Sequence, residues 1–202
     1  MEIGSKNPIS NSLFFNLKMK YVTNQILTMS KTGGCKVIFI TGGQRSGKSS
    51  YAQKLAEGLT GNPVYLATSR IWDDEFKARV QRHQSDRGEN WQTIEEEKQL
   101  SKLNLEGRVV LLDCITLWLT NIFYDNQYQV DQSLDEAKLE WQHFTGQNFT
   151  LIVVSNELGM GVIPENEASR KFADLQGWMN QHIAAMADEV FLMVSGIPVK
   201  IK

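Results

Sequence analysis

Apolar residues first gather into order at Val37-Ile38-Phe39-Ile40, a continuous run of β-branched and aromatic side chains. That is the signature of a strand buried on both faces of a sheet. A glycine-rich turn leads into Lys48 to Leu59, where Tyr51, Ala52, Leu55 and Leu59 recur on one helical face. Pro63 to Ala67 predicts a second strand. Asp73 to Asp86 predicts a polar helix whose first-turn acids Asp73, Asp74 and Glu75 suit the positive end of the helix dipole. Trp91 to Ile94 predicts a short strand, and Val109 to Asp113 a third buried strand ending in an acid. Helices follow over Ile115 to Tyr124 and Ser133 to Phe144, then a strand over Phe149 to Val154. A long amphipathic helix over Glu165 to Ala187 and a last strand over Val190 to Val194 close the pattern. Strands alternating with helices imply parallel pairing through right-handed crossovers. The expected fold class is α/β, an open, mostly parallel sheet with helices on both faces.

Residues Met1 to about Gly34 show neither period and are rich in Asn, Ser, Lys and Thr. They read as a disordered extension (1–34) ahead of one nucleotide-binding domain (35–202). Met19 and Met29 inside this stretch raise the expectation of a later translation start, which the intact mass of the native protein tests. Charge then narrows the function: 21 Lys+Arg against 23 Asp+Glu leave 21 − 23 = −2, and the pI is near 6.0. A nucleic-acid binder needs a basic footprint, so no nucleic-acid partner is expected. No apolar run reaches the ~18 residues of a membrane span. The longest apolar run near the N-terminus, Leu13-Phe14-Phe15, is too short for a signal peptide, so the expected location is cytoplasmic. Cys35 and Cys114 are too few for a disulfide scaffold or a structural zinc site.

Candidate chemistry begins where the first strand ends. Gly42-Gly43-Gln44-Arg45-Ser46-Gly47-Lys48-Ser49 satisfies G-x-x-x-x-G-K-[ST] in full, after a strand and before a helix. Gly42 and Gly47 permit backbone angles that bulkier residues resist, so the loop aims its N–H groups inward at an anion. Lys48 is placed to reach the β- and γ-phosphates and Ser49 to offer a hydroxyl to Mg²⁺. Asp113, ending an apolar strand, is the expected second holder of the metal. These residues specify a P-loop NTPase and phosphoryl transfer, and name no substrate.

Of three histidines, His83 has company: Glu75, Arg79 and His83 fall at i, i+4 and i+8, with Arg82 and Arg87 on either side. Guanidinium groups neutralising a phosphate chain leave a neutral imidazole nitrogen free to attack phosphorus. The pattern alone also suits a solvated charged helix with an incidental histidine. His143 and His182 sit in amphipathic helices without a neighbouring charge cluster in sequence and read as packing or surface residues.

Taken together, the chain from about Lys36 to Lys202 resembles the bifunctional adenosylcobinamide kinase / adenosylcobinamide-phosphate guanylyltransferase family of cobalamin biosynthesis. The resemblance is carried by Thr41 to Ser49, Tyr65-Leu66-Ala67-Thr68-Ser69, Asp73-Asp74-Glu75, Arg79 with His83 and Arg87, and Trp91 to Glu95. It continues through Asp113 to Asn121, Ser155 to Pro164, and Ser195-Gly196-Ile197-Pro198. It implies that ATP or GTP phosphorylates the aminopropanol hydroxyl of adenosylcobinamide. GTP then guanylylates a histidine, releasing pyrophosphate, and the GMP passes to the phosphorylated corrinoid. The covalent histidine maps onto His83. Nucleotide contacts map onto Gly42 to Ser49, Ala67, Thr68, Ser69, Gln84, Ser85, Asp86, Arg87, Glu95 and Asp113. A RecA-like core assembled as a homotrimer is implied too. Gln44 and Ala173 depart from the family, where alanine and arginine respectively are common. The competing reading is a nucleotide-dependent regulatory or assembly protein, which would have no use for His83 and its arginines.

Overall fold

Each apolar run becomes a strand of one sheet in the computed structural model, which describes residues 34–70, 88 and 90–202. The polar helix expected over Asp73 to Asp86, and the extension up to residue 33, lie outside the described residues. The strands are β1 (Lys36–Gly42), β2 (Val64–Ala67), β3 (Gln92–Glu95), β4 (Val109–Asp113), β5 (Thr150–Asn156), β6 (Glu189–Val194) and β7 (Ile197–Lys200). Among the described residues the helices are α1 (Lys48–Leu59), α2 (Ile115–Asp125), α3 (Val130–Phe144) and α4 (Glu167–Met186), with a 3₁₀ turn at Leu100–Lys102. The sheet order is β3-β2-β4-β5-β1-β6-β7, parallel throughout except for the β6–β7 pair. This is the expected RecA-like P-loop class, with β5 between the strand that enters the cradle and the strand that ends in Asp113.

The two-residue period of the strands divides the core into two layers. Val37, Phe39, Val110, Leu112, Leu151 and Val153 face α2, α3 and α4, where Trp118, Trp141 and Phe144 are fully buried. Ile38, Ile40, Leu111, Ile152 and Val154 face α1, which meets them through Ala52 and Ala56. Small side chains there let the helix lie close to the sheet. Each large side chain so buried contributes about 1.5–3 kcal/mol. The expected α1 stripe needs one correction: Leu59 has the right phase but stands in the last helical residue and is 48% exposed. The stripe ends at Ala56.

Val190 to Val194 is not the last strand. The chain turns at Ser195 and Gly196, with φ of 51° and 85°, and Ile197–Lys200 pairs antiparallel on β6. Two consecutive left-handed residues make the tight turn whose twist suits a hairpin. All four β7 residues are exposed, and Pro198 is tolerated because β7 is an edge strand. No described helix is long and apolar enough to cross a membrane.

Candidate nucleotide site

The parallel register lines up the carboxyl ends of the strands, where open α/β sheets bind ligands. Glu95 lies level with Ala67, Ala67 with Asp113, Asp113 with Val154, and Val154 with Ile40, two residues before Gly42. Four strand spacings separate Glu95 from the cradle, about 19 Å along the sheet edge. The expected site residues among those described therefore share one edge. His83 and Gln84, Ser85, Asp86 and Arg87 lie outside the described residues.

The cradle needs its glycines. Gly47 caps α1 with φ of 90°, and a Cβ there would stand 3.1 Å from the Cα of Gly196. At Gly42 a Cβ would come within 2.7 Å of the Met193 carbonyl oxygen. Arg45 also adopts the left-handed region, at φ 57°, which costs a non-glycine residue about 1–2 kcal/mol. That conformation was not legible in the motif. The Ser46 hydroxyl is buried within the loop without a partner among the described residues, and a buried hydroxyl so placed can donate to an anion held by the loop.

Lys48 is only 7% exposed, and its Nζ donates to the Gly43 carbonyl at 2.6 Å, folding back across the loop. Burial pushes the Lys48 ammonium below its ordinary pKa, and the charge of the facing Asp113 carboxylate opposes that shift. Asp113 accepts a hydrogen bond from the Tyr65 hydroxyl at 3.3 Å, and the Tyr65 ring packs edge-on against Trp91. Burial, followed by the Asp113 charge, pushes the Cys114 thiol up to about 12, so it stays protonated and is no nucleophile. Ser49 lies half-buried in the first turn of α1.

Thr68 does not present its side chain to the cleft. It is fully buried, and its hydroxyl donates to the Cys114 carbonyl at 2.9 Å. Glu95 ends an edge strand and is exposed.

Several residues to which the sequence reading assigned no role support the site. Asn121 sits inside the apolar face of α2, 1% exposed, and its Nδ2 donates to the carbonyls of Thr68 (2.7 Å) and Glu97 (3.0 Å). It thereby holds together the loops that leave β2 and β3. Arg70 adds a bidentate pair with Asp125 at 2.7 and 2.9 Å and a bond to Glu97. A lone Asn within Trp118-Leu119-Thr120-Asn121-Ile122-Phe123 was the available signal, since a buried amide must find partners. At the end of β5, Ser155, Gln176 and Asn180 form a buried network, and Asn180 Nδ2 donates to the Asn156 carbonyl at 3.0 Å. A cavity of about 320 Å³ lies elsewhere, beside Arg70, Glu97, Lys98, Glu136, Glu140 and His143. It shares no residue with the cradle. His143 is exposed, as the surface reading of its helix expects, and lines this cavity with Glu136 and Glu140.

Comparison with known proteins shows the family of the chain. Residues 38–201 match the family described as CobU, cobinamide kinase / cobinamide phosphate guanyltransferase. The chain is 39% identical over 181 residues to the bifunctional adenosylcobalamin biosynthesis protein CobU of Escherichia coli K12, covering 82% of this chain and 99% of that one. It is 39% identical over 168 residues to CobP, of the same description, from Pseudomonas aeruginosa, covering 81% and 95% respectively. Among solved structures, the flagellar accessory protein FlaH of Methanocaldococcus jannaschii aligns with a TM-score of 0.40 at 15% identity, over 83% of this chain and 78% of that chain. A second solved structure, an ATPase domain, aligns at 0.40 and 12% identity, over 93% and 84%.

Proposed function

The chain belongs to the cobinamide kinase / cobinamide phosphate guanyltransferase family, and on that premise we propose that it carries out both reactions on the corrinoid. In the first, the terminal phosphoryl of ATP or GTP passes to the aminopropanol hydroxyl of adenosylcobinamide. In the second, a neutral nitrogen of His83 attacks the α-phosphorus of GTP. An N–P bond forms, the α–β bridging bond breaks and pyrophosphate leaves. A phosphate oxygen of the phosphorylated corrinoid then takes the GMP, which frees His83 and yields adenosylcobinamide-GDP.

The observation that carries this reading is the cradle: left-handed Gly47 and the buried Lys48 where the loop after β1 opens α1. Binding a triphosphate requires Lys48 to exchange the Gly43 carbonyl for phosphate oxygens, a better partner for a desolvated ammonium. The Ser49 hydroxyl and Asp113 carboxylate are hard oxygen donors, and such a pair suits Mg²⁺, which takes its remaining ligands from phosphates and water. Bound there, the ion would neutralise charge developing on the phosphates. Ala67, Ser69 and Glu95 are proposed to line the rest of the nucleotide along the sheet edge, with Gln84 to Arg87 beside His83. The same resemblance supports a homotrimer working in the cytoplasm.

Incubation with GTP labelled at the α-phosphate tests the reading. The wild-type chain should take up an acid-labile, alkali-stable label that disappears in His83→Ala, while cobinamide phosphorylation persists in that variant. A wild type that takes up no label refutes guanylyl transfer.

A further inference from the structure

β5 outruns β4 by two residues. Asp113, the last residue of β4, lies level with Val154, whereas β5 runs on to Asn156, level with Gly42 where the cradle begins. The flank of Asn156 that β4 would cover therefore has no strand, and its peptide groups must find other partners. Two helices supply them. The Asn156 N–H donates to the Thr116 hydroxyl of α2 at 3.1 Å, and its carbonyl accepts from Asn180 Nδ2 of α4 at 3.0 Å. Asn180 is itself fixed by the Ser155 hydroxyl at 2.7 Å and Gln176 Nε2 at 3.0 Å, and all three residues are buried. On the opposite flank the next N–H, that of Glu157, donates to the Gly42 carbonyl at 3.0 Å. The backbone of Asn156 is clamped on both sides.

The side chain of Asn156 takes no part in that clamp. Successive strand residues face opposite ways, and Ile152 and Val154 face α1, so Asn156 belongs to their face. Asp113 belongs to it too, two residues past Leu111 and bonded to the Tyr65 hydroxyl. Lys48 opens the helix that packs there. Asn156 is half-buried, and its amide makes no hydrogen bond to a described residue. Glu157, the next polar side chain, turns its carboxylate back to the Gly159 N–H at 2.9 Å.

We propose that Asn156 is a catalytic residue of the kinase step, its Nδ2 donating to an oxygen of the transferring phosphoryl. The inference rests on the function proposed above and adds a residue to it. β5 separates β4 from β1, so a terminal phosphoryl served by both Asp113 and the cradle lies over the end of β5. There the corrinoid hydroxyl oxygen bonds to the γ-phosphorus and the bond to the β–γ bridging oxygen breaks. The nucleoside diphosphate leaves and the hydroxyl proton passes to water. Negative charge spreads over the oxygens of the moving group, and a neutral donor held rigid beforehand stabilises it without reorganisation. In guanylyl transfer the α-phosphorus reacts instead, and the terminal phosphoryl departs within pyrophosphate. The same contact lends that step binding alone.

The test compares the full chain with Asn156→Ala and with Asn156→Asp, which keeps the volume should alanine unfold the chain. Four quantities are measured: kinase kcat at saturating GTP and cobinamide, affinity for a fluorescent GTP analogue, label uptake from GTP labelled at the α-phosphate, and Tm. Alanine should lower kinase kcat about a hundredfold or more, the scale of removing one donor from an oxyanion site. GTP affinity, label uptake at saturating GTP and Tm should stay close to wild type. Aspartate sets a carboxylate against the phosphoryl and should be slower than alanine. A kinase kcat near wild type in either variant overturns the proposal. So does a parallel fall of both reactions and Tm, which would make the amide a prop of the fold. A wild type that binds GTP yet phosphorylates no cobinamide overturns the function itself, and this role with it.

Discussion

Replacing Asn121 with alanine should loosen the site without touching a ligand. The amide donates two hydrogen bonds, at 2.7 and 3.0 Å, to the carbonyls of Thr68 and Glu97. Each is worth about 1 kcal/mol net, and a buried carbonyl left without its donor adds about 1–3 kcal/mol. Thr68 is fully buried, so water cannot replace the lost donor there. The expected destabilisation is about 3 kcal/mol, which in a domain of this size lowers Tm by about 6–12 °C. Urea unfolding followed by circular dichroism checks it: the midpoint should fall with an unchanged slope. GTP affinity should fall too, because Thr68 follows Ala67 and Glu97 lies two residues past Glu95. Asn121→Asp keeps the volume and sets an oxygen against two carbonyl oxygens, so it should fare no better than alanine. An alanine variant within about 0.5 kcal/mol of wild type, or an aspartate that restores stability, would refute the account.

Two further outcomes follow from buried basic side chains. Lys48→Ala should lower kcat of the kinase step by about three orders of magnitude at saturating nucleotide, on the scale of losing an arginine finger, while leaving Tm unchanged or raised because burial opposes that ammonium; undiminished kcat contradicts the role. His182 is held down to about 4 by burial and by Lys138. The unfolded chain therefore takes up that proton first, and stability is lost as pH falls from about 6.5 towards 4. His182→Gln should gain stability relative to wild type between pH 7 and 5 in thermal melts, and a constant difference would contradict the assignment.

The strands were legible because burial on both faces writes a continuous apolar run, as in Val109 to Asp113, where sequence and structure share their boundaries. β7 was not, because an exposed edge strand such as Ile197-Pro198-Val199-Lys200 carries no such run, although the Ser195-Gly196 pair is a turn signal. The cradle was legible because its physics is local: eight consecutive residues dictate the backbone path. What positions it is not local. Tyr65 reaches Asp113 across 48 residues and Asn121 reaches Thr68 across 53, and only the strand register brings those partners together. Thr68 shows the converse, a residue whose place in a motif suggested the cleft while its hydroxyl turned to the Cys114 carbonyl.

The central position of β1 also bears on how the chain reaches its working state. Lys36 pairs with Thr150, and Ile38 with Glu189, so the strand feeding the phosphate loop finds its neighbours only more than a hundred residues later. Contacts that distant are slow to form, because a long stretch must be closed before any of them stabilises the chain. A ribosome will therefore have emitted the loop well before it emits the strands that shape it. The cradle, with the Gly42 and Ser46 carbonyls held by the Glu157 and Gly196 N–H groups, therefore takes shape only after both neighbouring strands have emerged.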